Sequence, residues 1–499
     1  MKKSVAILVI LFQFSSIYSQ TNNIIDSLFR NSYKVFELQR LSNGMYRDAT
    51  LMKGIDYHPI SVANTGMGLI SLCIADAMLW EANAKELALV TLKSVTGHHS
   101  NFIPDRNFNG YYRHFLDTNT GAQAWNSEYS TIDTDILMSG ALFAMNYFKD
   151  DSISHYVTEL WHSIDFEAAI ENPISGKIYR IMNEDGTGDA SSLTSPYSEY
   201  MIVAWLAKNY NDTLSSTANT LWNNYYETVD SLPTSSYKGL KVLSDSETRF
   251  LSSFTHQFNY FLCHHFTVSE DYLKAFTNAY EADSTWWRTL GGELYEWGSG
   301  AGSSFTDSYH ADAINNNPDT IVSPHIIAGF IPVNPNGKND LISLWNNSKG
   351  KYLIPVSSND SILWRYSLSN AAWVPNEIIG IDHSTMLFGI STLPEYLGNS
   401  FFSTNNDFFP LPSLSTPEQD PEFMISIYPN PIWDNININL GTDYNDVNIK
   451  IYDITGKIIY SKLFTTLNFF NIEFKEKAGL YLVSIISDGK TQTIRFCKQ

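Results

Sequence analysis

The chain has 499 residues, 43% of them apolar, and sets 52 acids against 32 Lys and Arg for a formal charge of −20. So large an acid excess excludes nucleic acid and anionic lipid as partners and favours a neutral ligand. Cys73, Cys263 and Cys497 lie too far apart in sequence for a disulfide scaffold, and no Cys/His spacing suits zinc.

Residues 1–19, MKKSVAILVILFQFSSIYS, combine Lys2 and Lys3, an apolar core from Val5 to Phe12 and a small residue at Ser19, the pattern of an export leader. That core is too short for a bilayer, and no later segment reads as a membrane span.

From residue 22 to 402 the pattern is that of one all-α domain. Helices are predicted over Asn64–Trp80, Ala84–Ser94, Ile132–Phe148, Ile153–Ile164, Ser198–Tyr210, Leu214–Val229, His256–Phe266, Asp271–Ala282, Val322–Phe330 and His383–Leu393. The run KIYRIM, Lys177–Met182, reads as a loop hairpin. One core of this size suits helices arranged in a ring. The 29 Tyr, 29 Phe and 12 Trp exceed the needs of an ordinary core and point to an aromatic-lined groove.

Four stretches carry candidate chemistry. In GYYRHFLDTNTGAQAWNSEYSTIDTDILMSG, Tyr111, Tyr112, Phe115, Trp125 and Tyr129 offer flat faces to sugar rings, while Arg113, His114, Asp117, Glu128 and Asp133 can bond hydroxyls or move protons. Ser130 or Thr131 caps the helix that follows, and Asp133 and Asp135 in its first turn either serve the site or complement the helix dipole. In YSEYMIVAWLA, Glu199 opens a helix among Tyr197, Tyr200 and Trp205, where desolvation would raise its pKa toward general-acid duty and the dipole would keep it ionised. His256 and Gln257 can bind hydroxyls or sit in the core. WWRTLGGELYEWGSGAG, which includes Trp297, has the makeup of a substrate-covering loop. Near the end, Asp382 neighbours His383, Trp373 and Glu377 and is either an N-cap or the second carboxylate that glycosidic hydrolysis requires. No phosphate-binding glycine loop and no G-x-S-x-G elbow is present, and no metal or organic cofactor is implied.

The Pro-, Ser- and acid-rich segment 403–423 reads as a linker. Residues 424–499 then alternate apolar and polar residues between turns, the pattern of a small antiparallel β-sandwich. YPNP at Tyr428–Pro431, IYDITGK at Ile451–Lys457, AGLYLVSI at Ala478–Ile485 and the basic end at Lys498 resemble the C-terminal sorting domain of the type IX secretion system of Bacteroidota. That resemblance implies passage through the periplasm and outer membrane to a secreted or cell-surface location.

The ordered series NGYYRHFLDTNTG, SEYSTIDTDILMSGALFA, YSEYMIVAWLA, THQF, DTIVSPHIIAGFIP and IIGIDHSTMLFGI resembles the glucoamylase-like domain of glycoside hydrolase family 144, the endo-β-1,2-glucanases. It implies an (α/α)6 toroid with a groove at one end. On matching positions, Glu199 stands at the general acid, Asp382 at the aspartate of I-D-Q-G-P, Glu128 and Asp133 at the acidic pair of E-L-S-T-I-D-T, and His256 and Gln257 at the HQ pair. Two departures are evident: Ile381-Asp382-His383-Ser384-Thr385 replaces I-D-Q-G-P, and Ser299-Gly300-Ala301-Gly302 replaces S-D-G-P. The expectation is a secreted hydrolase that cuts a β-glucan internally with inversion. The alternatives are a polysaccharide lyase and a noncatalytic glycan-binding protein.

Overall fold

The computed structural model describes residues 23–53, 57–210, 216–354, 359–409, 426–428, 432–454, 456–487 and 490–498. The leader, most of the linker, the Pro-Asn-Pro of the YPNP motif and the 488–489 turn lie outside the described residues. The chain divides into two compact units, Met1–Leu411 and Pro412–Gln499.

A helix that is apolar on every side must be enclosed, whereas a one-sided helix can face water. Six helices of the first unit are of the enclosed kind, buried along almost their whole length: α2 (Val62–Ala77), α4 (Thr131–Phe148), α6 (Met201–Tyr210), α8 (Phe254–Leu262), α11 (Pro324–Gly329) and α13 (Gly380–Ser391). Each packs against the next in that order, and α13 packs back on α2. Between them run half-buried helices: α1 (23–39), α3 (Ala84–Val95), α5 (Asp151–His162), α7 (Ser216–Leu221), α9 (His264–Val268), α10 (Glu270–Trp287) and α12 (Gly337–Asn346); α14 (Ser400–Asn405) ends the unit. The α2–α4 contact is close because it is made through glycine. A Cβ on Gly66 or on Gly140 would strike the facing backbone.

Short strand pairs tie each turn of the chain to the one before. Gly44, Gly110 and Gly176 are evenly spaced, and each is followed within four residues by Tyr-Arg. The strand just beyond each Tyr-Arg pairs with the strand leading into the preceding enclosed helix: Phe115–Leu116 with Ile60–Ser61 before α2, and Ile181–Met182 with Tyr129–Ser130 before α4. Tyr366–Ser367 pairs in the same way with Ile321–Val322 before α11. Ala49–Leu51 pairs with Glu377–Ile379 before α13, joining the start of the unit to its end. The arginines staple these loops: Arg47 Nη1 donates to the His58 carbonyl and Arg113 Nη1 to the Ser127 carbonyl, each at 3.0 Å.

Several boundaries differ from the sequence reading. Lys177–Met182 is not a hairpin, since its halves pair with Ile170–Asn172 and Tyr129–Ser130. The predicted His256–Phe266 helix begins at Phe254 and breaks at Cys263, whose backbone is extended. The segment predicted over Leu214–Val229 leaves the α-helix after Leu221 for a π turn over Trp222–Tyr226. α6 starts at Met201 rather than Ser198, which leaves Glu199 ahead of the helix.

In the second unit, Ser426–Tyr428, Asn435–Asp453, Ile458–Glu473, Gly479–Ser487 and Lys490–Lys498 form one five-stranded antiparallel sheet. The antiparallel pairing agrees with the sequence reading, and the long strand Asn435–Asp453 pairs with three of the other four strands and carries a register shift between Asn439 and Tyr444. Its alternating Ile436, Ile438, Leu440, Val447, Ile449 and Ile451 are buried with Val483, Ile485 and Phe496.

Candidate active site

The first turns of α4, α8 and α13, with the residue Glu199 just ahead of α6, line a cavity of about 510 Å³. Ser130 caps α4 by accepting from the Asp133 amide at 3.2 Å, which places Asp133 in the first turn facing the cavity. Asp382 lies in the first turn of α13 and Glu199 just before α6, and both line the cavity with Asp48, Glu377, His58 and His114.

Asp382 is 1% exposed. Its Oδ1 accepts from the Tyr309 hydroxyl at 3.5 Å, and its Oδ2 has no hydrogen-bond partner among the described residues. Burial, opposed by Arg365 and aided by Asp48, raises its pKa to about 7. Burial also raises Glu199, against the pull of Arg180 and with help from the negative Asp133 and Asp245. Asp133 is raised by burial as well, with His114 opposing.

Two histidines each stand between two carboxylates. His114 Nδ1 donates to Glu128 Oε1 at 3.1 Å, and its Nε2 lies 3.6 Å from Asp133 Oδ1. His58 Nδ1 is 3.7 Å from Asp48 and its Nε2 is 3.2 Å from Glu377, charge contacts rather than aligned hydrogen bonds. Burial disfavours both imidazoliums, but the carboxylates more than offset it and raise each to about 9. The His114 hydrogen bond in turn lowers Glu128.

Aromatic rings complete one wall. Phe115 stacks on His114 at 3.8 Å, and Trp125, 52% exposed, meets Phe115 edge-on at 5.1 Å and His58 at 5.8 Å. Trp125 and Asn126 both have left-handed backbone, with φ of 52° and 55°, which turns the indole toward the opening.

The cavity thus gathers Glu199, Asp382, Asp133, His114, Phe115, Trp125 and Glu377 of the residues singled out from sequence, with Glu128 one hydrogen bond behind. Others lie elsewhere. Arg113 bonds Asp105 at 3.1 Å and covers the Tyr129 ring, bracing the Glu128 loop. Tyr197 and His256 are hydrogen-bonded to each other beside a pocket of about 20 Å³, and burial lowers His256 to about 3. Gln257 donates to the Ile326 carbonyl at 2.9 Å, at the α8–α11 contact. Trp297 stacks on Phe330 and donates to Asp340, and Trp286 and Trp287 are buried too, so the supposed covering loop spends its tryptophans on the core. Fully buried His383 lies between Phe36 and Trp364, and Trp373 packs on Phe305. Tyr111 and Tyr112 are core residues.

Sequence reading missed Asp48, His58 and Tyr309. The first had a usable signal, because Asn43-Gly44-Met45-Tyr46-Arg47-Asp48 is in register with Asn109-Gly110-Tyr111-Tyr112-Arg113-His114. Among the described residues no cluster of three or more His, Cys, Asp or Glu is placed to hold a metal, and no helix is long and apolar enough to cross a membrane.

This arrangement sets carboxyls whose protonated form burial favours around one space, with flat rings beside them. In fold the chain is similar to an endo-β-1,2-glucanase from Chitinophaga pinensis solved with sophorotriose and glucose, with TM-score 0.63 and 16% identity over 78% of this chain and 97% of that one. It is similar to a candidate glucoamylase from Bacteroides caccae, with TM-score 0.63 and 15% identity over 78% and 98%. An endo-β-1,2-glucanase from Talaromyces funiculosus solved with sophorose aligns with TM-score 0.55 and 14% identity over 77% and 85%. Residues 426–499 match the family described as secretion system C-terminal sorting domain. Curated proteins gave no match.

Proposed function

We propose that this chain is a glycoside hydrolase that cuts a β-glucan internally with inversion, and that its helical unit is an (α/α)6 toroid. The observation that carries this reading is that Glu199 and Asp382 face one cavity in which burial raises both carboxyls. Glu199 holds its proton and delivers it to the glycosidic oxygen as the C1–O bond breaks. Asp382, once ionised, takes a proton from the water that attacks C1 from the other face. Asp133 and Glu128, around His114, bind sugar hydroxyls, and Phe115 and Trp125 stack on the rings. The solved relatives that act on β-1,2-glucan make that polymer the first substrate to test. Because His58 and His114 are each held between acids, the cavity offers a uronate no basic centre, which disfavours a lyase. The sorting tail supports export by the type IX route to a secreted or cell-surface location.

The test is to offer the chain from Gln20 onward β-1,2-, β-1,3-, β-1,4- and α-1,4-glucans and follow reducing ends and product size. A β-glucan, with β-1,2 favoured, should shorten before small products accumulate. Binding of a glucan with no cleavage would make the protein a noncatalytic glycan binder.

A further inference from the structure

The segment from Ala301 to Ala311 is a hairpin held at its base and its shoulder. Ala301–Gly302 pairs with His310–Ala311. At the base, fully buried Arg365 donates from Nη1 to the Gly300 carbonyl at 3.0 Å and from Nη2 to Asp312 at 2.5 Å, and Asp312 also bonds His310 at 2.8 Å. At the shoulder, Asp319 accepts from the Phe305 amide at 3.1 Å, from the Thr306 amide at 3.0 Å and from the Ser304 hydroxyl. What this braced loop carries into the cavity is Tyr309, whose ring is 49% exposed while its hydroxyl points at Asp382 Oδ1.

The two oxygens of Asp382 are therefore unlike: Oδ1 is tethered, and Oδ2 is buried with no hydrogen-bond partner among the described residues. We propose that Tyr309 is a positioning residue, which fixes Asp382 through Oδ1 and so leaves Oδ2 as the oxygen that takes the proton. This rests on the reading of Asp382 as the base. The donor also favours the ionised carboxylate. The other charged groups acting on Asp382 are Arg365, which favours ionisation, and Asp48, which opposes it. The hydrogen bond is long in the free protein, as catalytic contacts often are before substrate tightens them.

Tyr309→Phe keeps the ring and removes only the donor, so the hairpin should stay folded. In the full-length exported chain, kcat/KM below neutral pH should fall roughly tenfold to a hundredfold, the size expected for a hydrogen bond to a charged group. The loss should lie in kcat rather than KM, and the acid limb of the profile should move to higher pH. A ¹³C-carboxyl titration, with the Asp382 signal assigned by its absence in Asp382→Asn, needs no substrate and should show the same upward move. An unmoved carboxyl titration would overturn the role of Tyr309 whatever the protein cleaves. A moved titration with an unchanged kcat/KM profile would overturn the claim that the tether serves the base.

Discussion

Asp48 and His114 hold the same place in successive turns of the chain, each directly after the arginine of an Asn-Gly-x-Tyr-Arg run, and both reach one cavity. In one turn the position supplies a carboxyl that faces His58, and in the next an imidazole that faces Glu128 and Asp133. Both line the cavity that Asp382 lines, and Asp48 is one of the groups that keep the Asp382 pKa high.

Removing that charge gives the first prediction. Asp48→Asn should let Asp382 ionise more readily, so the acid limb of kcat/KM against pH should move down. That is the opposite direction from the loss of a donor to Asp382. A profile that stayed in place would show that Asp48 and Asp382 do not communicate.

Glu199→Gln keeps the shape of the side chain and removes its proton, so turnover should fall by about 10²–10⁴-fold while glycan affinity is retained. Parallel turnover and binding titrations decide it. Near-normal turnover would end the assignment of Glu199 as acid.

The raised Asp382 pKa also has a stability consequence. The folded state holds that proton up to about pH 7, whereas the unfolded chain releases it near its ordinary value, so this carboxyl costs stability progressively as pH rises between the two. Asp382→Asn should therefore be inactive yet melt at a higher temperature than the unaltered protein at about pH 9, with the gain absent at about pH 4. Equal gains at both pH values would point to packing rather than charge.

Much of the site was legible because its carboxyls sit at helix starts, where a capping serine before an apolar run marks the position. Ser130 and Asp133 follow that rule, and Asp382 opens α13 as an acid in the first turn. What the sequence hid was which aromatic and polar residues face inward. Trp297, His256 and His383 have the composition of a sugar site, but they sit at helix contacts where large side chains are needed to fill space. His58 and Tyr309 come from short loops with no periodicity, beside the strand pairs Ile60–Ser61 with Phe115–Leu116 and Ala301–Gly302 with His310–Ala311, which help to place them at the cavity. The sheet of the tail was legible in its alternation, which fixes the buried face, but not in how its long strand is shared among its neighbours.

The α2–α4 crossing gives a fold-level prediction. Gly140→Ala forces a methyl into the backbone at Gly66 and should cost about 1–3 kcal/mol, seen as a lower melting temperature. An unchanged melting temperature would mean that the helices can separate without loss.

Deleting Met424–Gln499 should leave the protein in the periplasm of the cell that makes it, with glucan cleavage by the purified helical unit intact. Cell fractionation checks this, and continued appearance outside the cell would contradict the sorting role of the tail.

The most direct measurement is ¹H NMR of the first products released from β-1,2-glucan by the exported chain. A carboxyl acid and a carboxyl base separated by a water give inversion, so the α-anomer should appear first and mutarotate afterwards. Initial release of the β-anomer, or no release from any β-glucan, would contradict the account of Glu199 and Asp382 as an inverting pair.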